Sequence, residues 1–170
     1  MNNTTRTFFF SILCLLLIGC DQSEDAQPLP LDLSFEESFQ LQLIEAEPGT
    51  IIDVPAGTHS FTRSLSLNVP GVTIRGAGMN QSVLSFANQV QGAEGLLVTA
   101  NDFVIEDLAI EDTIGDALKI NESTNVTIRR VRTEWTNGPD PENGAYGCLL
   151  YTSDAADDMQ CVDLGGRRII

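Results

Sequence analysis

Between Thr50 and Ile128, apolar residues fall two apart over and over. The pairs are Ile52/Val54, Leu65/Leu67, Val72/Ile74, Leu84/Phe86, Leu96/Val98, Phe103/Ile105, Leu108/Ile110, Leu118/Ile120 and Val126/Ile128. Successive side chains of an extended chain point to opposite sides, so each pair predicts the inward face of one short strand. Polar, Gly-containing turns separate the pairs, which is the signature of an all-β architecture. One upstream stretch has another period. Phe35, Phe39, Leu43 and Ala46 stand at i, i+4, i+8 and i+11, on one face of a helix. Ser34 and Glu37 make a capping box ahead of it, and Pro48-Gly49 ends it. This predicts one short amphipathic helix placed to cover the first strands.

The strands repeat. Asp102-Phe103-Val104-Ile105-Glu106-Asp107-Leu108 aligns with Asn125-Val126-Thr127-Ile128-Arg129-Arg130-Val131, 23 residues later. Pro70-Gly71-Val72-Thr73-Ile74-Arg75-Gly76 fits the same template 31 residues before Phe103, which implies an insertion within residues 87–94. A hairpin meander needs two-residue turns such as Asn-Gly between strands. Asn137-Gly138 and Asn143-Gly144 are the only such dipeptides, and both follow the last clear strand. A period of this length with several short strands per repeat predicts a solenoid.

The phrases Ile51-Ile52-Asp53-Val54-Pro55-Ala56-Gly57-Thr58, Val72-Thr73-Ile74-Arg75-Gly76 and Asn125-Val126-Thr127-Ile128 resemble the first coils of right-handed parallel β-helix proteins, among them pectate lyases, alginate lyases and uronan epimerases. The resemblance implies an all-β, right-handed parallel β-helix of about four coils, truncated, with an N-terminal capping α-helix. It specifies a fold and not an activity, because the repeated residues are those that pack the coil.

Ahead of this region, residues 1–7 are polar with Arg6, and residues 8–18 are apolar except for Ser11 and Cys14. That run is too short to span a bilayer, which takes about 20 residues in helix. It has the layout of a secretory signal peptide. Leu17-Ile18-Gly19-Cys20 resembles a bacterial lipobox, which implies lipidation of Cys20 and anchoring to a lipid bilayer through its acyl chains. The protein is expected to face the periplasm or the cell surface, and Asp21 leaves inner and outer membrane both open. Residues 21–33 are acidic, carry two prolines and read as a tether. At the other end the template vanishes after Gly147. Cys148-Leu149-Leu150-Tyr151-Thr152-Ser153-Asp154-Ala155-Ala156 resembles translated read-through of a sequencing adapter. The expected organisation is a lipoprotein signal peptide at 1–19, the tether at 20–33, the cap and first coils at 34–147, and a non-native tail at 148–170.

Charge narrows the partners. With 24 acidic and 9 basic residues the formal net charge is −15, which argues against nucleic acid as a partner. Residues 34–147 hold no cysteine, so no disulfide framework is expected there. In the repeat register Arg75, Glu106 and Arg129 point outward about 4.8 Å apart, as a surface ladder or as a basic rail for a uronate carboxylate. Glu111 and Glu134 also align, with Asp112 and Asp116 near in sequence. Stacked carboxylates of this kind suit Ca²⁺, and the resemblance to pectate lyases implies the same ion. A lyase needs a base, a carboxylate neutraliser and a proton donor. Lys119, Arg129 and Arg132 fit the first two roles and Tyr146 the last, while Trp135 suits stacking on a sugar ring. No residue sits in a specific catalytic motif. Three functions are compatible with the sequence: a membrane-tethered binder of polysaccharide, an acidic one included; a uronate lyase or epimerase whose catalytic coils lie beyond Gly147; and a structural surface solenoid.

Overall fold

A computed structural model of the chain describes residues 33–138, 140, 141, 143 and 146–151, and the backbone of 160–161 and 167–169. The expected signal peptide, the lipidated Cys20 and most of the tether lie outside the described residues. Among the described residues no helix is long and apolar enough to cross a membrane.

The chain runs α1 (Phe35–Glu45), β1 (Ile51–Val54), β2 (Gly57–Ser60), β3 (Arg63–Leu67), β4 (Thr73–Gly76), β5 (Ser82–Ser85), β6 (Gln91–Val98), β7 (Val104–Glu111), β8 (Leu118–Asn121), β9 (Thr127–Glu134), β10 (Cys148–Tyr151), β11 (Gln160–Cys161) and β12 (Arg167–Ile169). The capping box forms as its spacing predicts: the Ser34 hydroxyl accepts from the Glu37 amide, and the Glu37 carboxylate accepts from the Ser34 amide. Phe39 and Leu43 are buried, and Phe35 and Ala46 pack beside them.

The parallel registers match the sequence alignment. Ile52 faces Ile74, Ile74 faces Ile105 and Ile105 faces Ile128. Leu65, Leu96, Leu118 and Cys148 form a second row. The insertion lies where the offset changes: Arg63 faces Gln91, 28 residues on, whereas Leu65 faces Leu96, 31 residues on. Of the nine apolar pairs, eight are buried and Val126/Ile128 partly so. Burying each such Leu, Ile or Phe contributes about 1.5–3 kcal/mol. Phe61 and Phe86 stack within this core at 5.2 Å between ring centroids.

The expected fold class is corrected by the sheet topology. The described residues do not form an all-β right-handed parallel β-helix. They form a parallel-strand fold of α/β type, with two sheets in a half-barrel and one short helix. The five-stranded sheet has the order β11-β10-β8-β6-β3. The seven-stranded sheet branches: β7 pairs with β4 over residues 104–106 and with β5 over 109–111. Two of these strands bend at a non-glycine residue. Asp107 (φ 58°) and Arg130 (φ 52°) adopt the left-handed region, where single Asp residues are tolerated better than most. Each lets its strand bend without ending, so two segments that read as separate strands merge into β7, and β9 runs on past Ile128 to Glu134. Strand direction also changes at the far side, where β11 pairs antiparallel with β10 and β12 with β9. Cys148–Tyr151, assigned from sequence to a non-native tail, pairs in parallel register with β8 and buries Cys148.

Gly76 shows how closely the bend is packed. A Cβ there would lie 2.1 Å from the Asp107 carbonyl oxygen and 2.8 Å from the Leu108 Cβ.

Candidate functional site

The sequence-derived candidates fall into four places. The first is the outer face of β1, β4, β7 and β9, where Asp53, Arg75, Glu106 and Arg129 stand in one row. Arg75 Nε lies 3.9 Å from Asp53 and 3.4 Å from Glu106, and Arg129 Nε bonds the other Glu106 oxygen. Arg130 also reaches Glu106, at 3.5 Å, and clasps Asp107 through two hydrogen bonds of 2.5 and 2.6 Å. That clasp holds the Asp107 carboxyl below the usual carboxylate range. Opposite charges therefore alternate along the row, with Arg75 and Arg129 both in ion pairs, although the buried Arg75 Nε makes no hydrogen bond among the described residues.

The second place is the other half of the same two strands. Glu111 and Glu134 face each other as aligned. Their repulsion is relieved from within the protein: Arg132, with its side chain 9% exposed, bonds Glu111 at 2.5 Å, bonds Glu134 through its other terminal nitrogen, and donates from Nε to the Met79 carbonyl at 3.2 Å. Asp112 is separate. Its carboxylate accepts from the Thr136 amide at 2.6 Å and from the Thr136 hydroxyl. Asp116 lies elsewhere again, so the four acidic residues do not converge. Among the described residues no group of three or more His, Cys, Asp or Glu side chains is arranged to hold a metal ion.

The third place is the outer face of the five-stranded sheet. Lys119 Nζ bonds Glu94 at 2.9 Å and sits 6.0 Å from the Tyr151 ring centroid. The hydrogen bond to Glu94 raises the lysine pKa, with Glu94 and Asp116 adding Coulombic support. Burial pushes the Asp116 carboxyl up, opposed by Lys119 and by a hydrogen bond from the Tyr146 backbone. Lys119, Asp116 and the Tyr146 backbone are thus neighbours, joined by Glu94, a residue that stands in no sequence motif.

The fourth place is a cleft of ≈ 320 Å³ lined by Ala87, Asp112, Thr113, Ile114, Trp135, Thr136, Asn137 and Asn143. Trp135 follows β9 directly. Its indole Nε1 donates to the Thr113 carbonyl at 2.7 Å, which fixes the ring, and the Gly138 amide closes a turn onto the Trp135 carbonyl at 3.1 Å. Asn143 Nδ2 donates to the Gly138 carbonyl at 2.6 Å. The exposed Asn137 side chain makes no hydrogen bond among the described residues. The facing loop is held by Gln89, a buried amide that accepts from the Ile114 amide at 3.0 Å and donates to the Glu94 carbonyl at 2.9 Å. The one sequence signal for Gln89 was its place in the insertion; Ile114 gave none.

Chemically, all six basic residues with described side chains, Arg63, Arg75, Lys119, Arg129, Arg130 and Arg132, lie within 4.0 Å of a carboxylate. A uronate at Arg132 would have to displace one of the protein's own acids, whereas at Arg75 and Arg129, 40% and 55% exposed, it would share a guanidinium whose Nε already faces Glu106. The Trp135 cleft instead combines a fixed aromatic ring, an exposed isoleucine, side-chain amides and a threonine hydroxyl held by the Asp112 carboxylate, with no cation among its described lining residues, a mixture suited to hydroxyl-rich ligands without negative charge. No protein-family model, curated protein or solved structure matches this chain.

Proposed function

We propose that this is an exported protein, anchored to a bacterial membrane through lipidated Cys20, that binds polysaccharide in the cleft beside Trp135. The observation that carries the reading is the clamped indole set among Thr136, Asn137, Asn143 and Ile114. An aromatic face supports the apolar side of a sugar ring, and amides meet its hydroxyl groups. The same cleft has no basic lining residue, and the cations elsewhere are neutralised. The proposed ligand is therefore an uncharged glycan in preference to a uronate.

The sequence contains one tryptophan, so intrinsic indole fluorescence reports on this cleft alone. Titration with neutral oligosaccharides is expected to shift and saturate that emission, and alginate or pectate to leave it unchanged. Trp135→Phe should retain binding, read by calorimetry, more nearly than Trp135→Ala. No saturable response to any glycan would sink the binding reading, and a saturable response to uronates alone would sink the preference for uncharged sugars. The anchor is tested separately: labelled palmitate should enter the parent chain and not the Cys20→Ser variant.

A further inference from the structure

The charged row on β1, β4, β7 and β9 ends differently on its two sides. Among the described residues, β1 pairs only with β4, and residues 127–129 of β9 pair only with β7. Among the described residues, the elements near the ends of the sheets leave the strand edges of this row unpaired, although α1 lines a groove beside Ile51 and Ile52. Helix α1 packs on β2 and β3, and β12 pairs with β9 only at Arg132, Thr133 and Glu134. Among the described residues, this row of strands therefore has an unpaired backbone edge at both ends, and such edges recruit other strands.

The two edges are complementary. The β1 edge carries the carboxylate of Asp53, 76% exposed, and the opposite edge carries the guanidinium of Arg129, 55% exposed. The order carboxylate, guanidinium, carboxylate, guanidinium leaves an anion at one end and a cation at the other. Apolar surface accompanies the charge. Ile51 is 52% exposed beside a groove shared with Leu41 and Ala46, and at the far edge Val126 and Ile128 are only partly buried.

We propose that a second copy of this chain docks here, β1 of one copy edge to edge with residues 127–129 of the next, Arg129 meeting Asp53 of the neighbour. Parallel pairing sets those two side chains opposite each other and antiparallel pairing sets them diagonal, within reach of long side chains in both cases. Because α1 and β12 occupy the ends of other strands, the copies join at this corner. The contact is heterologous, so it propagates into rings or filaments instead of closing as a symmetric dimer. The net charge of −15 opposes it. Salt at about 0.1 M, with a Debye length of about 10 Å, screens that long-range repulsion more than it screens a pair in contact.

The test is sedimentation velocity on the full chain carrying Cys20→Ser, which excludes association through acyl chains. Weight-average mass should rise with concentration. Asp53→Lys puts a cation on both edges and Arg129→Glu an anion on both, so each variant alone should lose the rise. Mixing the two should restore it, since opposite edges meet again. Association through the apolar residues 8–18 would ignore both substitutions and the mixing. Arg129→Gln, which leaves Glu106 held by Arg75 and Arg130, serves if the reversal does not fold, and it should weaken the rise. A chain that stays monomeric, or a rise insensitive to positions 53 and 129, overturns the proposal.

Discussion

Along residues 104–106 and 127–129, one buried acid, Glu106, is shared among three arginines that reach solvent. Along residues 108–111 and 131–134 of the same two strands, a single guanidinium is sealed between two carboxylates beneath the Met79 carbonyl. The residue types are alike, and the acids are buried or partly buried in both halves; the exposure of the guanidiniums separates them, 40% at Arg75 and 55% at Arg129 against 9% at Arg132. An exposed pair exchanges water for a partner at little net gain. A buried pair, once broken, strands a charge where water cannot reach it. The guanidiniums of the charged row are accordingly adjustable at their solvent ends, while buried Glu106 and the sealed triad both hold β7 to β9.

Arg132→Met should break the sealed half most severely. Glu111 and Glu134 would then face each other unrelieved, and urea unfolding should show a loss of about 3–5 kcal/mol. Adding Glu111→Gln and Glu134→Gln should return much of it. Gly76→Ala comes next, because its methyl group would meet the Asp107 carbonyl at the bend between the halves. The expected cost is about 1–3 kcal/mol in the same assay, as for other overpacked sites.

Much of this architecture was legible in the sequence, and the lapses are local. Period-2 pairing gave the inward residues and the register, because that pattern is set by burial on one face. The strand β2 was invisible: Thr58 and His59 offer no apolar pair, and the segment is held by backbone pairing to β5 and by the His59 ring stacked on Phe35 at 3.9 Å. The bend at Arg130 was hidden because nothing in an arginine announces a left-handed conformation, and at Asp107 the residue type permits one without specifying it. The stacked Glu111 and Glu134 were foreseen, but a cation was sought outside the chain. Arg132 stands two residues before Glu134, hence on the same face, and that spacing was the available clue. Trp135 was singled out from sequence, whereas Gln89, Ile114 and Asn137 acquire meaning only once loops distant in sequence meet.

Smaller effects sharpen the contrast between exposed and buried acids through pH. Arg130 depresses the Asp107 pKa, so the stabilisation from that pair is present above the unfolded-state value and is lost as pH falls through the folded-state value. Arg130→Gln should lower the melting temperature slightly at neutral pH and flatten its decline in acid. Asp116 has the opposite sign. Burial raises its pKa, so the fold is favoured below the unfolded-state value and that advantage is lost as pH rises through the raised folded-state value. Asp116→Asn should gain on the parent chain as pH climbs through that window, read by melting curves.

The bent strand β7 belongs to both halves of its sheet, since the chain passes Asp107 without leaving it. Fraying that begins at β4 cannot stop at the corner, because the same eight residues also carry the ladder to β5. Backbone amides on the two arms should therefore exchange with deuterium as one cooperative unit, sharing a single opening free energy.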